Sequence, residues 1–133
     1  MQALIDAIVA AFADTALSEA VSGLYYRGGT PQPAPTTVQM PYVTFFLVGN
    51  VPDNAGSQKC EEPRVQFSIW TSGWDSTEAM ALYPLLRAIY DDALLSVSGY
   101  SMVTMDRVAD NLIPDPGGGW QYAIDYNVMI QEV

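Results

Sequence analysis

The chain has 133 residues, half of them hydrophobic, with fifteen acidic residues against five basic ones, a single cysteine and no histidine. That length and apolar fraction predict one globular domain over residues 1–133, large enough to bury a core without disulfide or metal staples. A formal net charge of −10, with Arg27, Lys59, Arg64, Arg87 and Arg107 scattered along the chain, argues against binding nucleic acid or anionic lipid, because phosphate recognition needs clustered Lys and Arg. Lone Cys60 has no internal disulfide partner.

The opening MQALIDAIVAAFADTAL lacks a basic leader and carries Asp6 inside its apolar run, so it reads as an amphipathic helix and not a signal peptide. Leu4, Ile8, Ala11 and Phe12 share the inner face, and Gln2 and Asp6 the wet one. No segment approaches the roughly 20 apolar residues of a membrane span, so a soluble protein with no membrane partner is expected. Asp14 or Thr15 is placed to cap a short second helix through Ser22, with Gly23 as its left-handed stop. Leu24 to Arg27 reads as a brief strand. The Gly- and Pro-rich stretch that follows, part of a flexible segment from Gly28 to Gln39, predicts an extended loop.

Tyr42 to Val48 is apolar on both faces apart from Thr44, the pattern of a central strand covered on each side. Asn50 to Glu62 reads as a long polar loop. In Pro63 to Thr71, Val65, Phe67 and Ile69 alternate with Arg64, Gln66 and Ser68, the period of a half-buried strand. Asp75 and Glu78 form a candidate capping box for a helix from Asp75 to Leu95. Ala79, Leu82, Leu86, Ile89 and Ala93 make its buried stripe, with Leu86 and Ile89 deepest, and Pro84 is expected to kink or restart it. Strands over Tyr100 to Ala109 and Trp120 to Gln131 flank a turn ending in Gly117-Gly118-Gly119. In the last strand Trp120, Tyr122, Ile124, Tyr126, Val128 and Ile130 hold one face without a break, which fixes its register. The predicted fold is α+β: a single domain with a mainly antiparallel sheet packed against one long helix and one or two N-terminal helices.

No catalytic, cofactor or metal site is expected. There is no histidine to serve as a base and no G-x-S-x-G elbow. The glycine run lacks the Lys-Ser/Thr of a phosphate loop and reads as a hairpin turn. Asp91-Asp92 and Glu61-Glu62 are adjacent in sequence, and such neighbours usually point apart into solvent. Asp53, Asn54, Glu61 and Glu62 lack EF-hand spacing for calcium. Trp70, Trp74 and Trp120 are candidates for a sugar-stacking platform, but aromatic surface serves protein contacts equally well.

The order of elements, with an Asp-Thr-Ala-Leu junction between paired helices, LYY, a Pro-rich gap, PYVTFFLVG, VQFSIWTS, an amphipathic helix and a final YAIDYNVMIQ, resembles the small tail-completion, or tail-terminator, proteins of long-tailed bacteriophages. The resemblance implies a non-enzymatic virion protein assembled in the host cytoplasm. It would form a homo-oligomeric ring, typically a hexamer, that caps the tail tube and joins the head. Its partners would be its own copies, the tail tube protein and head-tail connector proteins, with DNA passing through the channel unbound. Contacts are expected from Pro52, Asp53, Asn54, Lys59, Glu61 and Glu62, from Tyr26 and Arg27, and from Trp74. The alternatives are an acidic protein-binding module of another large assembly and a small-molecule or carbohydrate-binding domain.

Overall fold

The computed structural model of the chain describes residues 2–27, 39–55 and 58–133, with side chains over all of these except 50–55, 58–59 and 102–103. Two short helices, α1 (Gln2–Phe12) and α2 (Ala16–Ala20), precede the three-residue strand β1 (Leu24–Tyr26). A long hairpin of β2 (Tyr42–Ala55) and β3 (Gln58–Thr71) leads into α3 (Thr77–Tyr90), and β4 (Tyr100–Pro114) and β5 (Trp120–Glu132) close the chain. These strands form a five-stranded sheet in the order β1-β2-β3-β5-β4. Every pairing is antiparallel except that of β1 with β2. The fold is therefore α+β with a mainly antiparallel sheet.

Alternation places Phe45, Phe67, Ile69, Ile124 and Tyr126 on one face, where Leu4 and Ile8 of α1 and Leu82, Leu86 and Tyr90 of α3 cover them in one core. On the other face Tyr42, Thr44, Phe46, Ser68, Trp70 and Ala123 are buried as well. There the Tyr42 and Trp70 rings stack at 6.4 Å, and the Trp70 indole donates to the Thr44 hydroxyl at 2.9 Å. Thr44 thus belongs to a strand covered on both faces, its hydroxyl satisfied as a buried polar group requires. In β5, Ile124, Tyr126, Val128 and Ile130 are buried while Trp120 and Tyr122 are half-buried toward the sheet's end.

Several local expectations are corrected. Asn50 to Glu62 is not a long loop: β2 and β3 stay paired from Gly49 opposite Arg64 out to Ala55 opposite Gln58. A bulge between Leu47 and Gly49 shifts the register there. Backbone pairing does not require apolar side chains, so a strand polar on both faces leaves no alternation to read. Likewise β4 continues past Ala109 to Pro114, with a second bulge between Arg107 and Ala109 that breaks its pattern. Gly23 is no left-handed stop. The left-handed residue here is Asp14 (φ 59°), between α1 and α2, and α2 ends on Val21 in extended backbone. The cap of α2 is Thr15, in a reciprocal pair with Ser18.

The helix α3 starts later and ends earlier than expected. Its N-cap is Ser76, which makes no side-chain cap bond, while Asp75 accepts from the Thr77 N–H at 3.2 Å. Glu78 consequently sits at N2 and not N3, so the expected capping box does not form. Pro84 neither ends nor restarts the helix. Both Pro84 and Met80 are exposed, so the missing bond falls on the wet side, where water replaces it. Leu86 is fully buried, whereas Ile89 is half-buried and Ala93 lies beyond the helix. The Gly28 to Gln39 loop lies outside the described residues except for Gln39. No described helix is long and apolar enough to cross a membrane.

Leu86 sits at the centre of the helix–sheet contact, so Leu86→Ala should cost about 2–5 kcal/mol in chemical denaturation. Ile89→Ala, on a half-buried side chain, should cost clearly less.

Candidate functional site

The residues assigned to contacts from the sequence fall in three places. Tyr26 and Arg27 lie beside β2: the Tyr26 ring is partly exposed and packs on Phe45 at 5.3 Å, and the Arg27 N–H donates to the Phe45 carbonyl at 2.7 Å. Pro52, Asp53 and Asn54 lie on the outer part of β2, opposite Glu61, Cys60 and Lys59 of β3. Glu61 and Glu62 are half-buried. Trp74 occupies the opposite end of β3, in the loop before α3, and is 97% exposed. Roughly 40 Å of extended strand separates the hairpin tip from that loop, so the structure does not bring these residues together.

Around Trp74 the β3–α3 loop faces the β4–β5 turn across a groove of about 690 Å³, with Met40, Trp120 and the 117–119 glycines also lining it. The Trp120 indole donates to the Trp74 carbonyl at 3.1 Å, pinning the loop while leaving the Trp74 ring outside. Gly119 has φ 89°, and a Cβ there would collide with the Thr71 carbonyl, so only glycine allows this close approach. Trp70 is buried on the far face of the sheet, so the three tryptophans do not form one platform. Among the described residues no group of His, Cys, Asp and Glu is arranged to hold a metal ion.

One polar cluster went unread in the sequence. Asp91, taken there as half of a solvated pair, accepts from the Tyr126 hydroxyl at 2.6 Å and from Arg87 Nε at 2.8 Å. Arg107 lies 3.4 Å from Asp91 and pairs with Asp110 at 2.8 Å. Tyr83 donates to Asp110 at 2.7 Å while its ring stacks on Tyr122 at 4.3 Å. Burial, and then the Asp110 carboxylate, push the Tyr83 hydroxyl up to about 12. Burial alone would raise the Asp91 carboxyl, but the Tyr126 hydroxyl and the two guanidiniums outweigh it and hold the carboxyl below its ordinary value. The Arg87–Asp91 spacing of four residues was the available signal. Asp92, its neighbour, is exposed in left-handed backbone (φ 56°). Apart from Asp92, these groups form a chain of hydrogen bonds and ion pairs that links the end of α3 to β4 and β5, so the cluster clamps the helix to the sheet.

Among the described residues, the fold defines an α+β domain in which a polar cluster joins helix to sheet and the most exposed aromatic ring, Trp74, lies at a sheet end. Residues 2–131 match the family model of tail completion protein gp17, and the chain belongs to that family. It is thereby a structural protein of the bacteriophage tail that associates with other virion proteins. Among solved structures it is similar to a chain of the virion of a native gene transfer agent particle, with a TM-score of 0.69 and 15% identity over 90% of this chain and 87% of that one. No curated protein matches it by sequence.

The clamp should be acid-sensitive. Because the folded Asp91 carboxyl titrates below its unfolded value, its contribution is full above about pH 4 and is lost as pH falls through the lowered folded value. Asp91→Asn should lower the melting temperature near pH 7, and the gap to the parent protein should narrow steadily below about pH 4. Calorimetry across that range checks the sign.

Proposed function

We propose that the chain acts over its whole length, residues 1–133, as a tail-terminator-like domain that forms a ring on the end of the tail tube and provides the surface to which the head is joined. The family match over residues 2–131 carries this reading. Ring formation is supported by the sheet's two open edges. Among the described residues, the outer edge of β4 and that of β2 beyond its pairing with β1 have no strand partner. The edges are unlike and lie on opposite sides of the subunit, the arrangement from which head-to-tail contacts close a ring. Six copies are the number the resemblance implies.

The long β2–β3 hairpin supplies contacts to tube or connector proteins in this reading, since elements held out by a rigid scaffold commonly carry binding. The assembly forms in the host cytoplasm. DNA passes its channel without being gripped, because a wall poor in Lys and Arg has few counterions to release. The protein has no turnover of its own: its best-placed carboxylate, Asp91, is occupied by Tyr126 and Arg87.

Electron microscopy of the purified protein, alone and with tail tubes, should show closed six-fold rings and tubes capped by them; a monomer at tens of micromolar that leaves tubes uncapped would defeat the reading. Replacing residues 53–60 by an Asn-Gly turn joins Pro52 to Glu61 at their existing pair and should leave melting nearly unchanged. In complementation, that variant should yield separate filled heads and tails, whereas normal infectious yield would remove the hairpin from joining. Purified protein should neither retain duplex DNA at physiological salt nor hydrolyse esters, peptides, glycosides or nucleotides.

A further inference from the structure

The groove at the Trp74 end of the sheet combines an apolar lining with one sign of charge. Asp115 lines it, and Asp75 follows Trp74 directly. All its walls come from stretches without a basic residue: none occurs between Arg27 and Lys59, between Arg64 and Arg87, or after Arg107. The volume, about 690 Å³, is that of sites holding far more than one side chain, about 300–1,000 Å³. The loop is also pre-set. The Trp120–Trp74 bond and the Gly119 contact with Thr71 hold both walls, so little ordering cost attends an occupant.

From the aromatic wall and the acidic rim we infer that this groove docks a cationic protein segment, one bulky apolar side chain flanked by Lys or Arg. The apolar side chain lies against Trp74, Met40 and Trp120, and the flanking cations meet Asp115 in the lining and Asp75 beside Trp74. Trp and Met are favoured interface anchors, and a lone indole in solvent beside an apolar groove is placed as such an anchor would be. A cation close to the Trp74 face gains further from the ring's quadrupole. The site stands on the groove's own geometry and charge, independent of ring closure.

The test uses the full chain labelled with fluorotryptophan, whose three tryptophans report separately by fluorine NMR. The probe is the peptide Gly-Lys-Lys-Phe-Lys-Lys-Gly. Saturable shifts of the Trp74 and Trp120 signals, with Trp70 on the opposite face unmoved, are expected. Trp74→Ala should weaken binding roughly tenfold or more, followed by the Trp120 signal. Asp115→Asn preserves an acceptor for the Gly117 N–H, which Asp115 now holds at 3.2 Å, and should weaken binding a few-fold. Added salt should weaken it too, as screening of exposed charges demands. Unchanged melting of both variants separates lost docking from lost fold. The inference is overturned if no shift occurs at millimolar peptide, if the Glu-flanked or Phe→Ser peptide binds equally, or if Trp74→Ala binds like the parent. It is also overturned if the Trp74 signal moves only with the protein's own concentration, which would make a second copy the occupant.

Discussion

Tyr90 is where the parts of this molecule meet. It is the last residue of α3, fully buried, stacked on Phe67 of the central strand at 4.4 Å and set edge-on to Tyr126 at 6.4 Å. Its hydroxyl donates to the Ile8 carbonyl of α1 at 2.8 Å. Neither α1 nor α3 is long enough to persist alone in water, so a residue that binds both to the sheet makes the helical layer one unit with it. The aromatic contacts add about 0.5–1.5 kcal/mol per pair beyond buried area, and the hydroxyl must keep its partner because an unpaired buried donor costs about 1–3 kcal/mol. Burial also raises the Tyr90 hydroxyl's pKa, which keeps it a donor at any physiological pH. With Tyr90 fixed, the next residue, Asp91, is delivered to the Tyr126 hydroxyl and to Arg87 and Arg107.

What was legible in the sequence follows from what burial imposes. Val65, Phe67 and Ile69, and the row from Tyr122 to Ile130, show their period because a one-residue slip would put every apolar side chain in water. The outer hairpin carries no such penalty, and the run from Asn50 to Glu62 looked like loop although its backbone is paired. Bulges hide strands for a related reason: at Arg107 to Ala109 the inside-outside order is interrupted, and the pattern stopped being readable there. Helix ends were misjudged because capping is decided by one residue's backbone. Ser76 holds the cap position expected of Asp75, and α2 ends on Val21 in extended backbone where a left-handed Gly23 is expected. The Trp74 groove was invisible because its walls, at Met40, Ser72 to Trp74 and Pro114 to Trp120, come together only when the sheet forms.

The few cations are mostly spent inside the subunit. Arg87 pairs with Asp91, Arg107 with Asp91 and Asp110, and Arg64 with Asp125. Each exposed pair contributes little to stability, about 0–1 kcal/mol. Their larger consequence is for the outward field: with the arginines neutralised locally, a chain of net charge −10 presents acid to its surroundings. Such a surface repels phosphate and steers cationic partners at low ionic strength.

Open sheet edges bring a cost. An unpaired edge strand is a template for indiscriminate pairing. Here β4 is interrupted by bulges after Met102 and Arg107 and carries Asp106, Arg107 and Asp110 along its length, devices that discourage a stray strand. On the other side, among the described residues, β1 pairs only with Val43 to Phe45 of β2. If like edges joined, pairing would stop at a dimer. If unlike edges joined at an arbitrary angle, it would run on as a fibre. Both open edges are bulged, β4 after Met102 and Arg107 and β2 between Leu47 and Gly49, and a bulge limits the registers a neighbouring strand can take. In the proposed ring, closure at a small fixed number of copies would follow from how these two unlike edges meet.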